Sequence, residues 1–112
     1  MNTRKFSKAQ EKQVAKKVNG RRTANSGATM FQKGDVYSDS FCIECKTATT
    51  EKQSMSIKKE WIDKLKEEAF ASNKPNWALA FNFGDPLRNT ENFYIISEDT
   101  FIKLQKLLEE DN

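Results

Sequence analysis

This 112-residue sequence contains no histidine and only two cysteines, Cys42 and Cys45. Their C-x-x-C spacing invites a zinc or redox interpretation, but one chain cannot supply four soft ligands, so a structural zinc site would need a second subunit. On a β-strand, positions 42 and 45 point to opposite faces, which disfavours both chelation and a disulfide. We therefore predict two separately buried thiols, which fits a reducing compartment.

Long apolar runs are also absent. No segment approaches the roughly 20 residues that a membrane span requires, and the first residues, Met1 to Lys5, lack a signal-peptide core. The hydrophobic fraction of 37%, with 11% aromatic residues, is typical of a folded globular chain. The length suits one domain over residues 1–112. These features predict a soluble, cytoplasmic, single-domain protein.

Acidic residues are scarce at the start of the chain. The first 33 positions carry nine Lys or Arg residues against one acid, Glu11, for a net charge of +8, whereas the remaining 79 residues carry −5. A basic end of this size favours polyanion binding, although a solvated helix face would have the same composition. The candidate nucleic-acid contacts are basic residues of this end and one later lysine: Lys12, Arg21, Arg22, Lys33 and Lys52.

Residues 33–46 form the most informative stretch. Two runs rich in valine, tyrosine, phenylalanine and isoleucine flank Ser38-Asp39-Ser40, a pattern that predicts a β-hairpin with its turn near Asp39 and Ser40. If Ser38 pairs with Phe41, the same register places Asp35 opposite Glu44.

This register brings two acids and a lysine together. Opposed residues on one face of a sheet have Cβ atoms about 4.5 to 5.5 Å apart, so two carboxylates there would repel unless a cation lies between them. Lys46 follows Glu44 by two positions, and strand alternation sends its ammonium to the same face. Asp35, Glu44 and Lys46 are therefore expected to converge.

The first predicted helix carries one acidic residue, Glu11, whose position suggests a specific role. Glu11 lies three, four and seven positions before the apolar stripe of Val14, Ala15 and Val18, which puts it on or beside the inward face. It has an alanine rather than a lysine at i+4, so Lys8 at i−3 is its remaining helical partner.

An aspartate followed nine residues later by Glu-x-Lys across a hairpin resembles the metal site of the PD-(D/E)XK nuclease superfamily, with Asp35, Glu44, Cys45 and Lys46 filling the motif. Gly34 stands where that superfamily often has proline. The preceding order, a helix with an inward glutamate, a Gly-Arg region and a Ser-Gly loop, is similar to the archaeal-type Holliday junction resolvases. The resemblance covers roughly residues 7–46.

The resemblance implies a functional set of Glu11, Ser26, Asp35, Glu44 and Lys46. Asp35, Glu44 and the carbonyl of Cys45 would hold Mg²⁺ or Mn²⁺, and Glu11 would complete the shell or bind a second ion. Lys46 would orient the attacking water or offset developing negative charge, and Ser26 would contact the scissile phosphate.

The remaining patterns predict elements on both sides of the hairpin. In chain order these are a helix opened by a capping box at Ser7 and closed near Gly20, a weak strand over 21–24, the hairpin, a helix over 56–71, a buried strand over 77–83, a strand over 92–96 and a helix capped by Ser97. This order predicts an α/β fold with a mixed central sheet flanked by helices. The resemblance implies a restriction-endonuclease-like αβββαβ core.

The predicted activity is metal-dependent hydrolysis of DNA, on branched substrates such as the Holliday junction. Two symmetric cuts need two sites, so this activity predicts a homodimer, with apolar surface in the strand around Phe93 and in the last helix. Two alternatives stay open. In the first, the chain is a nuclease that acts on nicked, flap or single-stranded DNA. In the second, it is a non-catalytic nucleic-acid-binding module.

Overall fold

The computed structural model describes residues 3–23, 35–84 and 91–110, with the side chains of residues 3 and 4 left out. The structure described is an α/β fold with a five-stranded mixed sheet and flanking helices, as predicted. The elements are α1 (Thr3–Lys17), β1 (Arg21–Arg22), β2 (Val36–Tyr37), β3 (Phe41–Lys46), α2 (Lys59–Ala71), β4 (Asn76–Phe81), β5 (Phe93–Ile95) and α3 (Glu98–Glu109).

The strands lie side by side in chain order, β1-β2-β3-β4-β5. β3 and β4 are parallel, with α2 as their crossover, and every other neighbouring pair is antiparallel. A parallel pair needs a long connection, and the stretch between Lys46 and Asn76 supplies it. The sheet ends in short strands, with two residues in β1 and three in β5.

The predicted hairpin forms with the predicted register. Val36 pairs with Ile43 and Tyr37 with Cys42. The turn is closed at Ser38, whose N–H donates to the Phe41 carbonyl at 3.0 Å and whose Oγ accepts from the Phe41 N–H at 3.2 Å. The β-rich runs and the short polar turn therefore specified this hairpin correctly.

Two apolar clusters cover the two faces of the sheet. Val14 of α1 packs with Val36, Ile43, Ala78 and Ala80 on one face. On the other face, Leu65 and Ala69 of α2 pack with Cys42 and Leu79, and Ile57 and Trp61 adjoin them as the i+4 pattern predicts. The central strands β3 and β4 are therefore buried from both sides.

The starts of α1 and α2 differ from the prediction, whereas the N-cap of α3 at Ser97 agrees with it. α1 begins four residues before the proposed cap Ser7, and α2 begins three residues after Ser56, with Lys58 at its N-cap position. Ser7 lies inside α1, because the preceding residues are compatible with helix and a serine tolerates an exposed helical position. The ends agree with prediction: Asn19 has a φ of 55°, and the Gly20 N–H donates to the Ala15 carbonyl at 2.8 Å.

The two cysteines are free thiols on opposite faces of β3, as predicted. Cys42 is buried against α2, and Cys45 packs with the cluster beneath α1. Burial, with the nearby charges of Glu68 and Glu44, raises the pKa of the Cys42 thiol to about 12. Burial also raises the pKa of Cys45. In the part of the chain described, no helix is long and apolar enough to cross a membrane.

Gly84 holds the connection after β4 against the segment after β3. It has a φ of +128°, and a Cβ at this position would overlap the carbonyl of Thr50. We expect Gly84→Ala to lower the free energy of unfolding by about 1–3 kcal/mol, because the substitution adds both overlap and backbone strain. Urea denaturation checks this, with the exposed Ser54→Ala as control, and an unchanged midpoint for Gly84→Ala would contradict it.

Candidate functional site

Asp35 stands where β2 parts from β3. Its N–H donates to the Ile43 carbonyl at 3.0 Å, and its Oδ2 accepts the Cys45 N–H at 2.8 Å. These two contacts lie on either side of Glu44, which agrees with the predicted position of Asp35 opposite Glu44. The carboxylate accepts an N–H that would otherwise bond to the neighbouring strand. Asp35 is therefore held to the main chain of β3 twice, through its own N–H and through its side chain.

Glu44 and Lys46 project from β3 toward α2. Their side chains form an ion pair, with 3.9 Å between Lys46 Nζ and Glu44 Oε2. Both line a cleft of about 340 Å³ whose other wall consists of α2 residues: Glu60, Trp61, Lys64, Leu65 and Glu68. The predicted convergence of Glu44 and Lys46 on one face is therefore correct.

The two acids are costly to ionise together. Burial raises the pKa of Glu44 to about 8, with further contributions from the charges of Asp35 and Glu68 and opposing ones from Lys46 and Lys64. Burial also raises the pKa of Asp35, against the Cys45 N–H and the Lys46 charge, which lower it. Near neutral pH the pair holds less negative charge than two exposed carboxylates would.

Glu11 approaches the same region from α1. Burial raises its pKa, as does the charge of Asp35, so these two acids lie within electrostatic reach of each other. Its Oε1 accepts from Arg22 Nε at 3.4 Å. The sequence left Lys8 available as a helical partner, and its charge lowers the pKa of Glu11. The ion pair, however, is made with Arg22 across the α1–β1 corner, a contact that helix spacing cannot reveal.

A buried amide network fixes α1 over the ends of β3 and β4. Gln10, fully buried beside Glu11, donates through Nε2 to the carbonyls of Lys46 at 2.9 Å and Ala80 at 3.2 Å, and to Asn92 Oδ1 at 3.1 Å. Asn82 donates to the same Asn92 oxygen at 3.1 Å. Sequence reasoning missed Gln10, although its position four residues before Val14 placed it on the apolar stripe of α1.

The chemistry of Asp35 and Glu44 suits a hard divalent cation. Both supply oxygen ligands, and after burial the charge of Asp35 is the next cause of the raised pKa of Glu44, a repulsion that a cation between the two carboxylates would offset. Within residues 3–23, 35–84 and 91–110, no three His, Cys, Asp or Glu side chains are grouped closely enough to hold a metal ion as they stand. Coordination by Asp35, Glu44, Glu11 and the Cys45 carbonyl would therefore need side-chain rotation.

The other predicted site residues are more scattered. Ser26 and Lys33 lie outside the described residues. Lys12, Arg21 and Lys52 are exposed, whereas Arg22 is half-buried against Glu11. The Lys52 N–H donates to the Phe83 carbonyl at 2.6 Å, which ties the connection after β3 to the segment after β4.

Comparison of the chain with protein-family models, with curated proteins and with solved structures finds no match.

The raised pKa of Glu44 predicts a pH-dependent stability. An unfolded glutamate ionises near pH 4.5 and the folded one near pH 8, so the folded chain binds more protons in this range and loses stability as pH rises through it. In a metal-free buffer, we expect Glu44→Gln to match the wild type at pH 4, below the unfolded pKa, and to melt at least about 4 °C higher at pH 9, roughly 1 kcal/mol.

Thermal denaturation followed by circular dichroism measures this difference. Glu51→Gln, which changes an exposed glutamate, serves as the control. An equal effect of Glu44→Gln at both pH values would show that Glu44 is not the group responsible.

Proposed function

We propose that this chain is a metal-dependent DNA endonuclease of the PD-(D/E)XK type that acts on branched DNA such as the Holliday junction. One observation carries the proposal. The Asp35 carboxylate is held on the Cys45 N–H beside Glu44, whose pKa is raised to about 8, and Lys46 is ion-paired to Glu44. Two hard acids that repel each other beside a lysine make a site suited to a divalent cation and a phosphate.

The order of elements supports the proposal. The chain runs α1, β1, β2, β3, α2, β4, with the first three strands antiparallel and β4 parallel to β3. This is the αβββαβ order of the restriction-endonuclease-like core that the resemblance implies. Asp35 immediately precedes β2, Glu44 lies in β3 and Glu11 lies in α1, an order that agrees with the one the resemblance implies.

Each residue of the site has a distinct chemical task in this proposal. Asp35, Glu44 and the Cys45 carbonyl would hold Mg²⁺ or Mn²⁺, with Glu11 beside them. A bound cation would supply an acidified water for attack on the phosphodiester and would offset charge on the phosphate oxygens. The Lys46 ammonium would orient the attacking water or stabilise the developing negative charge.

The substrate class follows from charge. Lys12 is exposed on α1, Arg21 is exposed on β1, and Lys52 is exposed after β3. Their contacts would be made to phosphates, which position DNA without reading its sequence. Lys33 belongs to the same basic segment, and the resemblance implies that Ser26 contacts the scissile phosphate.

Removing either acid should abolish cleavage. We expect Asp35→Asn and Glu44→Gln each to lower Mg²⁺-dependent cleavage at least about 100-fold, because each removes charge from the cation site. Cleavage of labelled four-way junction, flap, nicked duplex and single-stranded DNA, with Mg²⁺ or with EDTA, measures this effect. Asp39→Asn, in the exposed hairpin turn, is the matched control.

The same assay separates the alternatives. Cleavage of flaps or single strands but not of junctions would retain the nuclease and change its substrate. DNA binding with no cleavage under any metal condition would favour a non-catalytic binding module, and near wild-type cleavage by either mutant would refute the metal site.

Resolution of a four-way junction also requires a homodimer, and the surface of α3 is suited to one. In this helix only Thr100 is buried, and Phe101, Leu107 and Leu108 are 57%, 62% and 79% exposed. The apolar stripe was predicted from the sequence, and most of its surface is exposed. Leu104 borders an apolar cavity of about 450 Å³ against the sheet, with Val18, Ile43 and Ala78 in its lining. We propose that a second copy covers this surface.

Introducing charge on this surface should separate the subunits. We expect the double variant Leu104→Glu and Leu108→Glu to sediment at the chain mass of 12.9 kDa while the wild type sediments at twice that mass, because the charges oppose apolar burial. The variant should still nick DNA but lose paired junction cuts. Lys103→Glu on the same helix is the control, and a monomeric wild type with junction DNA present would contradict the dimer.

A further inference from the structure

The Lys46 ammonium has a second neighbour besides Glu44. Its Nζ lies 4.3 Å from the centroid of the Trp61 ring, which is within the range of a cation–π contact. Lys58 Nζ is farther from the same ring, at 5.9 Å. The ion pair to Glu44, at 3.9 Å, is at the outer limit for such a contact. The Trp61 ring therefore contributes substantially to holding the Lys46 ammonium in place.

Trp61 is itself well anchored. It lies near the start of α2, where its backbone N–H donates to the Lys58 carbonyl at 3.0 Å. Its side chain packs against the buried cluster of Cys42, Leu65, Ala69 and Leu79. A ring held in this way presents a fixed wall to the cleft that Glu44 and Lys46 line. A lysine side chain has several rotatable bonds, so a fixed wall restricts it considerably.

We infer that Trp61 is a positioning residue that holds the Lys46 ammonium in the site. This inference rests on the proposed function. The carboxylate of Glu44 is expected to be shared with a cation, which would weaken its hold on Lys46. The aromatic face carries no net charge that a cation would neutralise, so it continues to hold the ammonium when Glu44 is engaged.

The first test is spectroscopic and needs no activity. A methylene group above an indole ring is shifted upfield by the ring current, so the Lys46 ε-CH₂ signal should lie upfield of an ordinary lysine in the metal-free wild type. Trp61→Leu should return it to the ordinary position, and Trp61→Phe should leave an intermediate shift. Lys46→Arg assigns the signal. An ordinary shift in the wild type would overturn the inference.

The second test is kinetic. We expect Trp61→Leu to lower kcat about fivefold to tenfold with KM changed less than about twofold, and Trp61→Phe to recover at least half of the lost rate, since phenylalanine retains an aromatic face. Trp77→Leu makes the same change beside the same apolar cluster. Within the described residues no ammonium lies over Trp77, so kcat should stay within about twofold there.

The outcomes are distinguishable from a failure of the proposed function. An upfield Lys46 signal that Trp61→Leu abolishes, with the loss of kcat and its recovery in Trp61→Phe, supports the inference. Loss of the signal without change in kcat overturns it, as would equal effects of Trp61→Leu and Trp77→Leu. If the wild type cleaves no DNA, the proposed function fails, and the Lys46 signal alone then upholds or overturns the positioning of the ammonium.

Discussion

The hydrogen bond from the Cys45 N–H to Asp35 Oδ2 is the contact on which the site depends. Asp35 immediately precedes β2, and beyond its N–H bond to the Ile43 carbonyl its carboxylate, rather than a main-chain carbonyl, accepts the next N–H of β3. A partly buried N–H without a partner is unfavourable, so Asp35 has a structural role besides the chemical one proposed for it. Because Cys45 is bracketed by Glu44 and Lys46, the same bond sets the distance between the acids.

Strand alternation in β3 distributes the site over both faces of the sheet. Glu44 and Lys46 face the cleft beside α2, whereas Cys45 faces the cluster beneath α1. Glu11 reaches the region from α1, and its electrostatic link is to Asp35. The Gln10 network fixes the helix that carries Glu11 to the carbonyl of Lys46. A movement of α1 would therefore change the surroundings of both Asp35 and Glu44.

The sequence predicted what depends on short-range patterns. The hairpin register, the inward face of α2 and the Ser97 cap of α3, whose Oγ accepts the Thr100 N–H, follow from spacing within a few residues. The contacts of Gln10 with Ala80 and Asn92, and of Trp61 with Lys46, join distant positions, and no local signal marks them. The apolar stripe of α3 could be predicted from the sequence. Periodicity identifies an apolar face, however, and does not identify what covers that face.

The short strands at the two ends of the described sheet bear on how copies of this chain can associate. A long exposed strand is a template for the addition of further strands, and repeated addition leads to fibrils. β5 has three residues and β1 has two, so each offers few main-chain groups to an incoming strand. The association proposed through the side chains of α3 would instead give a closed pair of subunits that leaves no growing end.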